Sequence, residues 1–105
     1  MRHEDLNIMS NIKIIESLKA NLICVVGDFF LLLTKGSNIA KDSILDCVSG
    51  AIIILYVLAE RLGYSYSLVD EKIEKKLQEG IKNKDIIEKD GKDLSRLNSY
   101  LNDKR

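Results

Sequence analysis

Proline and tryptophan are absent from this 105-residue chain, glycine occurs six times, cysteine twice and histidine once. Without proline nothing interrupts long helices by force, and the abundant Leu, Ile, Lys and Glu favour them. The single histidine, His3, is expected to face solvent and has no serine or cysteine arranged with it. That excludes a hydrolase built on a Ser–His or Cys–His pair. Cys24 and Cys47 both sit in apolar runs and form no CxxC, so a disulfide or zinc framework is excluded and both are expected to be buried free thiols. Free thiols suit a reducing compartment, and the chain is expected to be cytoplasmic. An excess of one charge is lacking too: 16 Lys and Arg balance 16 Asp and Glu. No net field draws the chain to nucleic acid or an anionic surface, and no basic stripe is interleaved with aromatics. No apolar segment with a small-residue cleavage site follows Met1–Asp5. The charge-poor runs are short as well. Cys47–Ala59 has thirteen residues without a charge, and Leu22–Thr34 has thirteen with Asp28 inside it. A span needs about 20 apolar residues, so both are expected to be core helices and no membrane partner is expected.

What the sequence does contain is helical periodicity. Ile8, Ile12, Ile15, Leu22, Val26, Phe29 and Leu33 recur at gaps of three, four and seven, which predicts a helix over about 5–34. Gly36 is a candidate C-cap, and Ser37 or Asn38 a candidate N-cap for the next helix, over about 39–62. The middle of that second helix, "AIIILYVL", is apolar on every side and is expected to be surrounded by neighbours. Arg61 and Gly63 mark its end. A third helix over about 67–80 is expected to be capped by Ser67, with Asp70 and Glu71 in its first turn and Gly80 at its end. A tail over about 85–103 carries Ile86, Ile87, Leu94, Leu97 and Leu101 with a break at Gly91, as one interrupted helix or two short ones. The chain is long enough for one domain, 1–105, with one modest core. Its two long helices need more cover than the polar third and fourth can supply. The expected architecture is therefore an all-α antiparallel helical bundle completed by homodimerisation, a dimer or a higher homo-oligomer.

Two acids stand inside the greasy runs. If the first two helices fold back about Ser37, Asp28 lies nine residues before the turn and Asp46 nine after it. At about 1.5 Å per residue both sit roughly 13 Å from the turn, level with each other. Asp42 lies one turn from Asp46 on the same helix face. The three are a candidate acidic patch, and a hard cation such as Mg²⁺ is what holds such carboxylates together. The alternative is that Asp28 and Asp46 find partners in Lys19, Lys41, Ser43 or Ser49.

"ILDCVSGAIIILYVLAERLGYSYSLVDEKIEKKL", Ile44 to Leu77, resembles the second half of MazG-type nucleotide pyrophosphohydrolases, in which an acidic residue opens a greasy helix that stops at Leu-Gly and leads to a lysine-bearing third helix. "SLKANLICVVGDFFLLLTKG", Ser17 to Gly36, is similar to the helix before it. "DGKDLSRLNSYL", Asp90 to Leu101, looks like the tail of a short MazG-like branch found in Gram-positive bacteria. The resemblance implies an all-α fold whose helices pack between two chains. It also implies Mg²⁺-dependent cleavage of a nucleoside triphosphate to a monophosphate and pyrophosphate, with the metal held by E-E-x-x-E on one helix and E-x-x-D on the next.

On this sequence the first motif falls on Cys24, Val25 and Asp28, and the second on Ser43 and Asp46. Asp28 and Asp46 are the acids that remain, with Asp42 as a stand-in metal ligand. Lys72, Lys75 and Lys76 are candidate phosphate contacts, or simply a solvated helix face. The expectation is a MazG-like protein related to the triphosphate pyrophosphohydrolases, its activity weakened or lost with the missing glutamates. The alternative is a non-catalytic homodimeric helical module that binds a nucleotide or a protein.

Overall fold

In the computed structural model of the protein, residues 3–35 and 41–104 are described, with side chains from residue 8 onward in the first stretch. They form five helices: α1 His3–Thr34, α2 Lys41–Arg61, α3 Tyr66–Lys82, α4 Ile86–Gly91 and α5 Asp93–Lys104. No strand occurs among the described residues, and the all-α expectation holds. Contacts gather the chain into two compact units, Met1–Ser65 and Tyr66–Arg105. The expected caps at Gly36, Ser37 and Asn38 and the expected start at Ile39 lie outside the described residues, as does the exposure of His3.

The first unit is the antiparallel pair α1/α2. Near one end Arg61 Nη1 donates to Asn11 Oδ1 at 3.2 Å, and Asn11 Nδ2 donates to the Arg61 carbonyl at 3.3 Å. Further along, Val25 faces Gly50, and beyond that Asp28, Leu31 and Leu32 stand across from Ser43, Asp46 and Cys47. These pairs fall about evenly either side of residue 37, as a fold-back there requires. The packed face of α1 runs through Ile15, Leu18, Leu22, Val25, Phe29 and Leu32. Four residues of the stripe read in the sequence, Ile15, Leu22, Val26 and Phe29, are half-buried, whereas its ends at Ile8, Ile12 and Leu33 are exposed. Because α1 is apolar over most of its circumference, periodicity alone does not single out the contacting face.

The helix pair buries little of what it carries. Ile23 keeps 73% of its surface exposed, Leu45 63% and Ile53 62%. The expectation that α2 is surrounded is not met within one chain. Nor is the burial of the thiols, since Cys24 is exposed and Cys47 half-buried. Both are free, and Cys47 faces α1 across the groove between the two helices. Taken as whole helices, Ile8–Thr34 and Lys41–Arg61 are each long and apolar enough to cross a membrane by length and composition. The expectation of core helices rests on the two thirteen-residue runs, one of them holding Asp28, rather than on these longer stretches.

Helix α2 ends in a Schellman motif. The Tyr64 N–H reaches the Ala59 carbonyl at 2.9 Å and the Gly63 N–H reaches Glu60 at 2.9 Å, with Gly63 at φ 102°. A residue without Cβ takes that conformation at no steric cost, and the expected stop at Gly63 is met.

The second unit is built by α3, α4 and α5. Leu77 on α3 is 7% exposed and is its buried centre. Helix α3 starts at Tyr66, so Ser67 lies within the first turn rather than capping it, and no acid falls in that turn. The helix also runs past Gly80. A Cβ built there would come within 2.5 Å of Leu94 Cδ1, so Gly80 is where α5 crosses α3 closely rather than a cap. The helix ends two residues on, at Lys82. Asp85 N–H bonds to the Gly80 carbonyl at 3.0 Å and Lys84 N–H to Ile81 at 3.2 Å, a second Schellman motif, with Lys84 at φ 53°. The tail is two short helices. Their break is at Lys92, φ 55°, one residue after Gly91.

Candidate functional site

Asp28 projects from the C-terminal part of α1 and Asp46 from the first half of α2, and the antiparallel pairing brings both to one groove of about 330 Å³, lined also by Leu31, Leu32, Ser43 and Cys47. Both carboxylates are exposed, which removes the desolvation cost that an acid in a greasy run would otherwise carry. Among the described residues neither has an ion-pair partner. Lys19, one expected partner, is engaged with Glu16 at 3.0 Å. Ser43 stands in the groove beside the two acids.

Asp42 is exposed in the first turn of α2 and does not line this groove. Among the described residues no three of His, Cys, Asp and Glu are grouped so as to hold a metal ion. The donor set is therefore two carboxylates, a hydroxyl and a thiol, and a thiol is a poor ligand for a hard cation. A two-ion Mg²⁺ centre of the kind implied by the five-acid pattern does not fit the residues of this subunit.

Lys72, Lys75 and Lys76 are all exposed on α3, in the second unit. Their spacing puts them on the polar side of an amphipathic helix whose other side carries Leu77. A polar feature of this unit escaped the sequence reading. Glu88 on α4 accepts from the Ser95 N–H at 3.0 Å and from the Ser95 hydroxyl. The Ser95 side-chain hydrogen bond, helped by backbone bonds from Ser95 and Leu94 and by the Lys92 charge, holds the Glu88 carboxyl below the usual glutamate range. The seven-residue spacing across a helix break gives no periodic signal, so only the fold brings the pair together.

A family model for the MazG-like family matches residues 8–94. The chain belongs to the MazG-like family. The match takes in both acids of the groove and all three α3 lysines, and it runs through α1, α2, α3 and α4 to the start of α5. No curated protein and no solved structure matches the chain. Membership in the MazG-like family carries the relation to nucleotide pyrophosphohydrolases and the all-α architecture.

Proposed function

We propose that this MazG-like chain is a reduced relative of the nucleoside triphosphate pyrophosphohydrolases. In this reading it is a helical subunit that pairs with a second copy of itself in the cytoplasm and binds a nucleoside triphosphate with hydrolysis weak or lost. The observation that carries the reading is the groove between α1 and α2. It keeps one acid from each helix, Asp28 and Asp46, and lacks a third ligand. Two carboxylates are too few to hold a pair of ions rigidly against a triphosphate, and the attacking water then loses its positioning. The exposed Lys72, Lys75 and Lys76 remain available to phosphate oxygens.

Pairing follows from the apolar residues that α1 and α2 leave uncovered. A bilayer is the competing cover. Asp28 and Asp46 count against it, because an aspartate within a membrane helix is costly, up to about 2.5–3.5 kcal/mol at the helix centre and less toward the ends, where these two lie. A second subunit leaves both acids in their water-filled groove.

Calorimetric titration with a panel of triphosphates, run beside a pyrophosphate-release assay, tests the reading. Binding without release above an Asp28→Ala control is the expected result. Release well above that control would favour a second reading, retained Mg²⁺-dependent hydrolysis, for which the survival of one acid on each facing helix is the supporting observation. Failure to bind any nucleotide would leave a protein-interaction role.

A further inference from the structure

The second unit brings three lysines to the lining of one cavity. A cavity of about 240 Å³ is lined by Ile81 from α3, Lys84 from the α3–α4 connection, Glu88 and Lys89 from α4, and Lys92 from the α4–α5 break. Among the described residues none of the three lysines is in an ion pair. Two of them, Lys84 and Lys92, hold the left-handed backbone conformation, φ 53° and 55°. A side chain with a Cβ is disfavoured there, and glycine or asparagine is the usual occupant. This chain uses glycine where α2 makes the same turn, at Gly63. Helix polarity does not account for the lysines, since Lys82 and Lys89 already supply a cation to the last turns of α3 and α4. The backbone cost is thus borne twice, at two positions whose lysines are exposed and line one cavity. The lone acid of the lining, Glu88, has its carboxylate turned to Ser95.

We propose that Lys84, Lys89 and Lys92 form a binding site for a small free anion bearing one or two phosphate groups, in the cavity they share with Ile81 and Glu88. Three ammonium groups against one carboxylate leave the lining positive, and ammonium groups are compact, adjustable donors to phosphoryl oxygens. The cavity is small, which favours a bare phosphate or pyrophosphate over an extended polyanion. This site does not depend on the groove between α1 and α2.

The test is an amide-shift titration of the full chain with inorganic phosphate and inorganic pyrophosphate, against sodium chloride at matched ionic strength. Saturable shifts confined to the amides of residues 81–96 are expected, with pyrophosphate binding more tightly than phosphate. The variant Lys89→Gln/Lys92→Gly is expected to weaken pyrophosphate binding at least tenfold. Glycine suits the left-handed backbone at 92, so the variant keeps its fold, and an unchanged amide spectrum elsewhere verifies this. Shifts that chloride reproduces, shifts that persist in the variant, or no saturable shift would each overturn the proposal.

Discussion

The pair α1/α2 and the group α3–α5 treat their apolar residues differently. In the pair, long side chains such as Ile23, Leu45 and Ile53 keep well over half of their surface in solvent. In the group of three shorter, more polar helices, Leu77 is closed over to 7%, while Ile86 on α4 keeps 79% of its surface exposed. Charge content explains the direction of the difference. Helices with one apolar side can bury it against each other, whereas helices apolar nearly all round cannot do so with a single neighbour. The pair therefore reads as half of a larger core and the group as a small core of its own. The two also end their helices with the same hydrogen-bond motif but different residues, Gly63 in one and Lys84 in the other.

The comparison breaks most easily at the exposed face of α2. Ile53→Glu is expected to cause the largest change, because burying an isoleucine in a subunit interface contributes about 1.5–3 kcal/mol and a glutamate there adds an uncompensated charge. Light scattering should report a drop from the mass of the proposed oligomer to the single-chain mass. An unchanged mass would mean that this face needs no cover. Next comes Gly80→Val, expected to destabilise the second unit by about 1–3 kcal/mol through overpacking against Leu94, as read from a urea midpoint. Alanine at the same position should be far milder, since its helix propensity, worth about 1 kcal/mol over glycine, offsets part of the clash.

The two helix ends sharpen the contrast with opposite signs. Gly63→Ala is expected to cost about 1 kcal/mol, and Lys84→Gly to gain a few tenths up to about 1 kcal/mol, both by thermal unfolding. A matching loss at both sites would remove the contrast. The smallest effect concerns acid. Glu88 has a folded-state pKa below its unfolded one, so its bond to Ser95 stabilises the fold above the ordinary glutamate range. That stability is lost as pH falls through the depressed value. Ser95→Ala should therefore lower stability at neutral pH and flatten the acid limb of the stability profile. An acid limb identical to that of the parent chain would count against the coupling.

Much of the scaffold was legible from local chemistry. The span of α1, the stop at Gly63 and the absence of strands follow from propensity, periodicity and one glycine cap, all of which act over a few residues. The levels of Asp28 and Asp46 followed from counting out from a single turn, and the groove they share matches that count. The end of α3 was misplaced at Gly80 because a glycine has two uses in a helix, capping it or admitting a neighbour, and only the position of Leu94 distinguishes them. The contacting face of α1 was legible through Ile15, Leu22, Val26 and Phe29 and not at Ile8, Ile12 and Leu33, because an apolar circumference offers several stripes of equal merit.

For this protein the order of the residues by itself determined the helical class and the family. Tertiary structure alone decided that Asp28 and Asp46 stand in water at one groove without Asp42, that Leu94 lies over Gly80, that Ser95 holds Glu88, and that three lysines line one cavity. The physical reason is range. Propensity and capping depend on neighbours along the chain, whereas burial, proton affinity and charge clustering depend on which distant side chains the packing of helices brings within a few ångströms.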